Sequence, residues 1–325
     1  MSMKKIIGID LGGTTAKIGI LNQSGEIEKK WELPTDISEE GSLIVPNIIQ
    51  SIHEVLESEN LAVSDFLGIG MGTPGTVNRN DGTVIGAYNL NWKTEQLIRE
   101  QVESGTGIPF FLDNDANVAA LGEQWKGAGN NEKNVSFITL GTGVGGGLVS
   151  DGNLIHGAID AAGEVGHITV EPYGYECTCG KKGCLEQYAS ATGIVRLARD
   201  LAVDYTEESE LKVLVENDEP IDAKRVFDFA KAGDAYANHV VDKVSFYLGL
   251  ALGNIANILN PSTIVLGGGV SQAGDFLVEK VSKVVEEFTF PTIRSITKIK
   301  IAELGNDAGM IGAASLVINE LDNNN

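Results

Sequence analysis

Two stretches of the sequence, which begin about 130 residues apart, share one layout that constrains the fold. The first begins at Lys4 and consists of the apolar run IIGID, the glycine turn LGGTT, a second apolar run AKIGIL and a polar turn with glycine. The second begins at Val135 and repeats this order as VSFITL, GTGVGGG, LV and SDGN. Apolar runs bounded by glycine and polar residues are typical of β-strands. The repetition therefore predicts two duplicated α/β domains that each open with a hairpin.

The rest of the sequence predicts the helices and strands that complete these domains. Apolar periodicity and polar caps indicate helices at residues 43–58, 116–125, 193–202, 236–259, 275–288 and 306–321. Further short strands are expected at FLGIGMG, FFLD, IVLG and KIKIAEL. We expect a first domain over residues 1–117, onto which the helix at 306–321 packs back, and a second domain over residues 118–305.

Composition excludes several classes of protein. The formal net charge is −21, from 24 basic and 45 acidic residues, and this argues against binding to nucleic acid, which requires a basic surface. The sequence has no run of eighteen apolar residues, so no membrane span is expected. Its start, MSMKKIIGID, has too short an apolar run for a signal peptide. We therefore expect a cytoplasmic protein with neither nucleic acid nor membrane among its partners.

Three glycine turns follow predicted strands: Asp10-Leu-Gly-Gly-Thr-Thr, Leu140-Gly-Thr-Gly and Leu266-Gly-Gly-Gly. Glycine lets a backbone approach an anion closely, and the exposed amides and threonine hydroxyls can donate to phosphate oxygens. The motifs of P-loops and of Rossmann folds are absent from the sequence. Asp10 could hold Mg²⁺ or simply cap its turn. Three such turns in one chain favour nucleotide binding over three tight hairpins.

A second group of polar residues suits the acceptor side of a phosphoryl transfer. Asn114 and Asp115 stand between a predicted strand and a predicted helix, where the simpler interpretation is a helix cap. Asp115 could also accept the proton of a hydroxyl nucleophile as a general base. Asn89, Glu164 and His167 add amide, carboxylate and imidazole groups of the kind that bind the hydroxyls of a polyol.

All three cysteines of the chain lie in GHITVEPYGYECTCGKKGCLEQ. His167, Cys177, Cys179 and Cys184 supply one nitrogen and three sulfurs, which is a complete tetrahedral set for zinc. The odd number of thiols and the tight C-x-C spacing disfavour a disulfide or a redox site. Four protein ligands leave no open position for water, so the spacing favours structural over catalytic zinc.

These motifs together resemble the ROK family of sugar kinases and repressors. DLGGT, GTPG, NLNW, NDAN, LGTGVGGG, GEVGH, CxCGxxGCxE and IVLGGG occur in that family's order and span nearly the whole chain. Within the family the sequence is most similar to the bacterial glucokinases of the firmicute type. The resemblance implies an actin-like (ribonuclease H-like) ATPase fold, with two α/β domains around a central cleft. It also implies ATP- and Mg²⁺-dependent phosphorylation of the 6-hydroxyl of glucose.

The resemblance also implies roles for individual residues. Asp115 would be the general base. The sugar would contact Gly75, Asn89, Asn114, Asp115, Glu164, His167 and Glu186. The nucleotide would contact Asp10, Gly12, Gly13, Thr14, Thr15, Gly141, Thr142, Gly143, Gly267, Gly268 and Gly269. Zinc held by His167 and the cysteines would orient Glu186, and a homo-oligomer, dimer or tetramer, is expected.

Other functions remain as alternatives at this point. A repressor of the family would carry a helix-turn-helix segment before the first strand, and the strand here begins at Lys4. A sugar-sensing module without catalysis would not need Asp115 together with three phosphate-type turns. N-acetylglucosamine, N-acetylmannosamine, mannose or fructose would use the same polar residues as glucose, and polyphosphate or ADP could replace ATP as donor.

Overall fold

The computed structural model describes residues 3–323 and contains two five-stranded sheets with helices. The strands are β1 Lys5–Leu11, β2 Thr15–Leu21, β3 Ile27–Pro34, β4 Phe66–Thr73, β5 Thr76–Asn78, β6 Thr83–Ile85, β7 Phe110–Asn114, β8 Val135–Leu140, β9 Val144–Ser150, β10 Asn153–Leu154, β11 Thr263–Gly267 and β12 Lys298–Ile301. The helices are α1 Ile44–Ser58, α2 Ile98–Thr106, α3 Asp115–Lys126, α4 Glu186–Ala189, α5 Ala191–Asp200, α6 Glu210–Glu216, α7 Ala223–Lys231, α8 Ala235–Leu259, α9 Asp275–Phe288, α10 Pro291–Arg294 and α11 Ala308–Asn323.

The two larger sheets have matching strand orders. The first has the order β3-β2-β1-β4-β7, in which β1 pairs antiparallel with β2 and parallel with β4. The second has the order β10-β9-β8-β11-β12, in which β11 pairs parallel with both β8 and β12. In each sheet a hairpin that opens the repeat continues into parallel strands. This match confirms the predicted duplicated α/β architecture.

The chain divides by its internal contacts into two units. The first unit contains the described residues up to Lys133, Gly147–Gly163 and those from Leu304 onward, and the second contains Asn134–Gly146 and Glu164–Glu303. The first break therefore falls after residue 133 and not at the expected 117/118 boundary. The physical reason is that α3 packs along α11 as part of the first unit.

Helix α11 packs closely on the first sheet because glycines remove side chains from the interface. An added Cβ would lie 2.1 Å from the Met310 carbonyl oxygen at Gly8 and 1.8 Å from the Ala313 oxygen at Gly70. On α11 itself, a Cβ at Gly312 would lie 1.6 Å from the Val118 oxygen of α3. Helix α11 thus packs against the first sheet and α3 within the first unit. None of the helices within residues 3–323 has the length and apolar composition needed to cross a membrane.

Candidate active site

Asp10 lies near the carboxyl end of β1, where the sheet edge meets the first turn of α11. A Cβ added at Gly309 would lie only 2.6 Å from Cγ of Asp10, so the carboxyl group lies directly over this glycine. Burial raises the pKa of Asp10 to about 6, Lys17 opposes this increase, and the nearby Asp115 adds to it. A desolvated carboxylate with an acidic neighbour provides oxygen ligands of the kind that Mg²⁺ accepts.

The first glycine turn connects β1 to β2 and is closed by its own backbone. The Gly12 N–H donates to the Thr15 carbonyl oxygen (3.0 Å), and the Thr35 hydroxyl donates to the Gly12 carbonyl oxygen (2.7 Å). A Cβ on Gly13 would lie 3.2 Å from the Asn89 carbonyl oxygen and 3.4 Å from Nδ2 of Asn89. Within the first unit the structure therefore brings Asn89, expected to bind sugar, beside the turn expected to bind nucleotide.

Gly75 lies beside the segment that carries Asn89 and has a positive backbone φ (+98°). A Cβ there would meet Ala87 at 2.9 Å, two residues before Asn89. Trp92, which follows in the same segment, is fully buried and its Nε1 donates to the Gly41 carbonyl oxygen (3.0 Å). The buried tryptophan anchors the segment, so that Asn89 can remain exposed.

Asn114 and Asp115 form the junction between β7 and α3. The Asn114 Oδ1 accepts the Ala116 N–H (2.9 Å), which makes Asn114 the amino-terminal cap of α3, and one Asp115 oxygen accepts the same N–H (2.8 Å). The Asp115 side chain is exposed to solvent, but many protein atoms surround its carboxyl group. This partial desolvation raises the pKa of Asp115, although the hydrogen bonds from Ala116 and Asn114 oppose the increase. A carboxylate in such a setting is a better proton acceptor than a free one.

The two glycine turns of the second unit lie side by side. A Cβ at Gly268, where φ is +82°, would lie 2.5 Å from the Leu140 carbonyl oxygen. At Gly141 and Gly269, by contrast, an added Cβ would meet nothing within 4 Å. The Thr142 carbonyl oxygen accepts a hydrogen bond from the Thr192 hydroxyl (2.9 Å), which ties this turn to α5. These two turns together offer glycine backbone that an anion can approach.

Glu186 lies at the first residue of α4 and contacts the Leu140–Gly143 turn. Its Oε2 accepts the Val144 N–H (3.1 Å), and a Cβ on Gly143 would lie 2.5 Å from that oxygen. The family resemblance implies a sugar contact for Glu186 and a nucleotide contact for Gly143. In the structure, the Glu186 carboxylate contacts the turn that contains Gly143.

His167 and the three cysteines lie together in the second unit. Their ligand atoms all lie within 4.8 Å of one another, with 3.7 Å between His167 Nδ1 and Cys177 Sγ and 3.6 Å between the Cys179 and Cys184 sulfurs. A tetrahedral zinc ion with Zn–S bonds of about 2.3 Å separates its sulfur ligands by about 3.8 Å. The four side chains therefore fit a zinc ion without rearrangement of the backbone.

The backbone around these ligands is turned by glycine and hydrogen bonds. Gly180, with φ +89°, donates its N–H to the Cys177 carbonyl oxygen (2.9 Å), and the Lys181 ammonium donates to the His167 carbonyl oxygen (2.7 Å). With Nδ1 directed at the cysteines, His167 Nε2 lies 3.8 Å from the exposed Glu164 carboxylate. His167 can therefore serve the ligand cluster through one nitrogen and a second partner through the other.

Asp113 lies outside the motifs that the sequence displays. This carboxylate is 2% exposed and contacts His156, Arg79 and Asn117 in the first unit. A signal was present, because Asp113 opens the polar run DND directly after the buried part of β7. From the sequence alone Asp113 is only the last residue of a predicted strand, since its partner His156 lies 43 residues further along the chain.

Comparisons with known proteins all match this chain to members of one family. A sequence model of the ROK family matches residues 6–320. A glucokinase of Halalkalibacterium halodurans is 46% identical over 98% of this chain and 96% of its own length. The crystal structure of a ROK hexokinase from Thermus thermophilus superposes with a TM-score of 0.83 at 30% identity, covering 98% of this chain and 99% of that one. A ROK glucokinase from Streptomyces griseus, solved with glucose and AMPPNP, gives a TM-score of 0.73 at 32% identity, covering 97% and 99%.

Proposed function

The chain belongs to the ROK family, and from this premise we propose that it transfers the γ-phosphoryl group of ATP to the 6-hydroxyl of glucose. The observation that carries the proposal is the 46% identity to a glucokinase over nearly the full length of both proteins. The glucose and AMPPNP in the S. griseus structure support the same pair of substrates. The alternatives that remain are other hexoses and other phosphoryl donors on the same fold.

Asp115 is the proposed general base. Its carboxylate is held at the start of α3 by the Ala116 N–H and is desolvated enough to have a raised pKa. In the reaction it accepts the proton of the 6-hydroxyl while the oxygen forms a bond to the γ-phosphorus and the bond to ADP breaks. Asn114 and Asn89 are proposed to hold sugar hydroxyls, and Gly75 to shape the backbone beside Asn89.

Asp10 and the glycine turns are proposed to serve the nucleotide. Asp10 would hold Mg²⁺, which when bound neutralises part of the phosphate charge. The turn from Gly12 to Thr15 in the first unit, and those at Gly141–Gly143 and Gly267–Gly269 in the second, would donate backbone N–H groups to phosphate oxygens. The Thr14, Thr15 and Thr142 hydroxyls are additional donors.

His167, Cys177, Cys179 and Cys184 are proposed to hold a structural zinc ion. The ion would tie the segment that starts at His167 to the cysteine loop, from which Glu186 follows after one residue. Glu164, His167 and Glu186 are proposed sugar contacts of the second unit. A cytoplasmic location and a homo-oligomeric state belong to the same proposal.

A substrate panel tests the function. Purified protein is assayed by coupling ADP or sugar phosphate formation, with glucose, mannose, fructose, N-acetylglucosamine and N-acetylmannosamine as acceptors and with ATP, ADP or polyphosphate as donor. We expect the highest kcat/KM for glucose with ATP. A clear preference for an N-acetyl sugar would contradict the assignment of glucose, and the absence of transfer to every hexose would contradict the assignment of a kinase.

A further inference from the structure

A buried carboxylate that none of the proposed roles includes lies directly beside the proposed base. Asp113 Oδ1 accepts the Asn114 N–H (2.8 Å) and the Asn117 Nδ2 amide (2.7 Å). Its Oδ2 contacts His156 Nε2 (2.6 Å) and Arg79 Nε (3.4 Å). The carboxylate thus accepts hydrogen bonds from Asn114, Asn117 and His156 and forms an ion pair with Arg79.

The partners approach Asp113 from separate parts of the first unit. Asn117 is on the first turn of α3, His156 is in the segment after β10, and Arg79 is in the loop after β5. Arg79 is also paired with Glu320 of α11. Four distinct segments are therefore linked through one carboxylate at the end of β7.

A buried asparagine at position 117 would be unfavourable for stability if its only role were to fill the core. The side chain is 3% exposed, and its Oδ1 has no hydrogen-bond partner, although a buried unpaired acceptor is unfavourable. The opposite orientation of the amide would direct its oxygen at the Asp113 carboxylate and place two acceptors together. The amide is therefore committed to donating to Asp113, and an apolar side chain could not replace that contact.

The contact to Asn114 connects this cluster to the chemistry. Asp113 holds the peptide N–H of Asn114, and Asn114 in turn caps α3 through the Ala116 N–H (2.9 Å), which one oxygen of Asp115 also accepts (2.8 Å). The direction of the Asp115 carboxylate thus depends on a backbone junction that Asp113 orients. Small errors in the placement of a reacting group reduce the rate strongly.

We propose that Asp113 is a positioning residue for Asp115, and that His156, Asn117 and Arg79 hold its carboxylate in the required orientation. The inference rests on the proposed function, in which Asp115 accepts the proton of the sugar. His156 acts only through Asp113 and contacts neither substrate. Loss of this orientation should slow the chemical step more than it weakens the binding of sugar.

Variants of His156 and Asp113 test the inference in steady-state kinetics. His156→Phe keeps a ring of similar size but removes the donor to Asp113, and we expect kcat to fall by about 10-fold to 100-fold. The KM for glucose, and the Kd for glucose measured by calorimetry without nucleotide, should stay within about 3-fold of the original values. His156→Gln can donate again and should recover part of kcat. Asp113→Asn replaces one accepting oxygen by an NH2 group, which faces the donors that surround Asp113. This variant should behave like His156→Phe.

Glu123→Gln is the matched control. Glu123 is a fully buried carboxylate on α3, and its oxygens accept the Ala128 N–H (2.9 Å) and the Leu304 N–H (2.8 Å) at the far end of that helix. We expect this variant to lower the melting temperature while kcat is unchanged. A similar loss of kcat in Glu123→Gln, or a kcat of His156→Phe within about 2-fold of the original, would overturn the inference. Asp115→Asn is measured in parallel, and full activity of that variant would contradict the proposed function itself.

Discussion

Replacement of Asp10 by asparagine should stabilise the nucleotide-free protein at neutral pH. Asp10 is a half-buried carboxylate whose pKa is raised from 3.8 to about 6, mainly by desolvation. A raised pKa means that the folded state binds the proton more tightly than the unfolded state, so stability is lost as the pH rises from about 4 through 6. The difference corresponds to at most about 3 kcal/mol at pH 7.5, and to about 1–3 kcal/mol after screening by solvent. Asparagine carries no charge and should escape this loss.

The three tryptophans provide the assay, because Trp31, Trp92 and Trp125 all lie in the first unit. Urea unfolding followed by tryptophan fluorescence therefore reports on the unit that contains Asp10, even if the two units unfold separately. Both proteins are measured without added magnesium or nucleotide at pH 7.5 and 4.5. The advantage of Asp10→Asn should shrink by about two thirds, or roughly 1–2 kcal/mol, between these two pH values.

Asp36→Asn is a control of opposite sign. Asp36 is partly exposed, and hydrogen bonds from the Ser38 hydroxyl and N–H lower its pKa. Its stabilising effect is present above its unfolded pKa, so the asparagine variant should be slightly less stable at pH 7.5. If Asp10→Asn were no more stable than the original protein at pH 7.5, or kept its full advantage at pH 4.5, the explanation by a desolvated charge would be refuted.

Asp115→Asn should lower kcat by about 100-fold or more with glucose binding retained, as loss of a general base implies, and near-normal turnover would remove Asp115 from that role. Because the pKa values of Asp115 and Asp10 are raised, kcat/KM should begin to fall as the pH is lowered toward 6. An ordinary carboxylate would cause this fall only at a lower pH. An activity that is constant down to pH 4.5 would argue against a role for both carboxylates. Metal analysis should find about one zinc ion per chain. Cys184→Ser should lower the zinc content and the melting temperature and raise the KM for glucose. A zinc-free protein of full stability would contradict the structural role of zinc. Gly312→Ala forces a Cβ to within 1.6 Å of the Val118 oxygen and should reduce the unfolding free energy of the first unit by about 1–3 kcal/mol or more, which urea titration measures.

Local pattern was sufficient to predict most of the fold. The duplicated hairpins appear as β1–β2 and β8–β9, and the long apolar helix expected at residues 236–259 is observed as Ala235–Leu259. These elements are encoded by nearby residues, namely alternating or periodic apolar positions and the glycine or asparagine that ends them. The domain boundary was predicted less well, because the place of α3 depends on its packing against α11, almost two hundred residues later.

The candidate site divides in the same way. The cluster of His167 with the three cysteines and the Asn114–Asp115 junction could be predicted, because each set lies within a short stretch that carries its own chemistry. The Asp113–His156 contact could not, since it joins residues 43 positions apart. The contact between Glu186 and the Val144 N–H could not be predicted either, since these two residues lie 42 positions apart.

The position of α11 in the chain affects how the protein is made. Strand β1 leaves the ribosome first, but the helix that covers Gly8 and Gly70 follows about 300 residues later. At about 5–20 residues per second, this face of the sheet stays uncovered for roughly 15 to 60 s. The second unit, which ends at Glu303, is complete in sequence before the first. A nascent chain that has released Glu303 but not yet α11 would present a finished second unit joined to an unfinished first, and it is this intermediate that chaperones and proteases would meet.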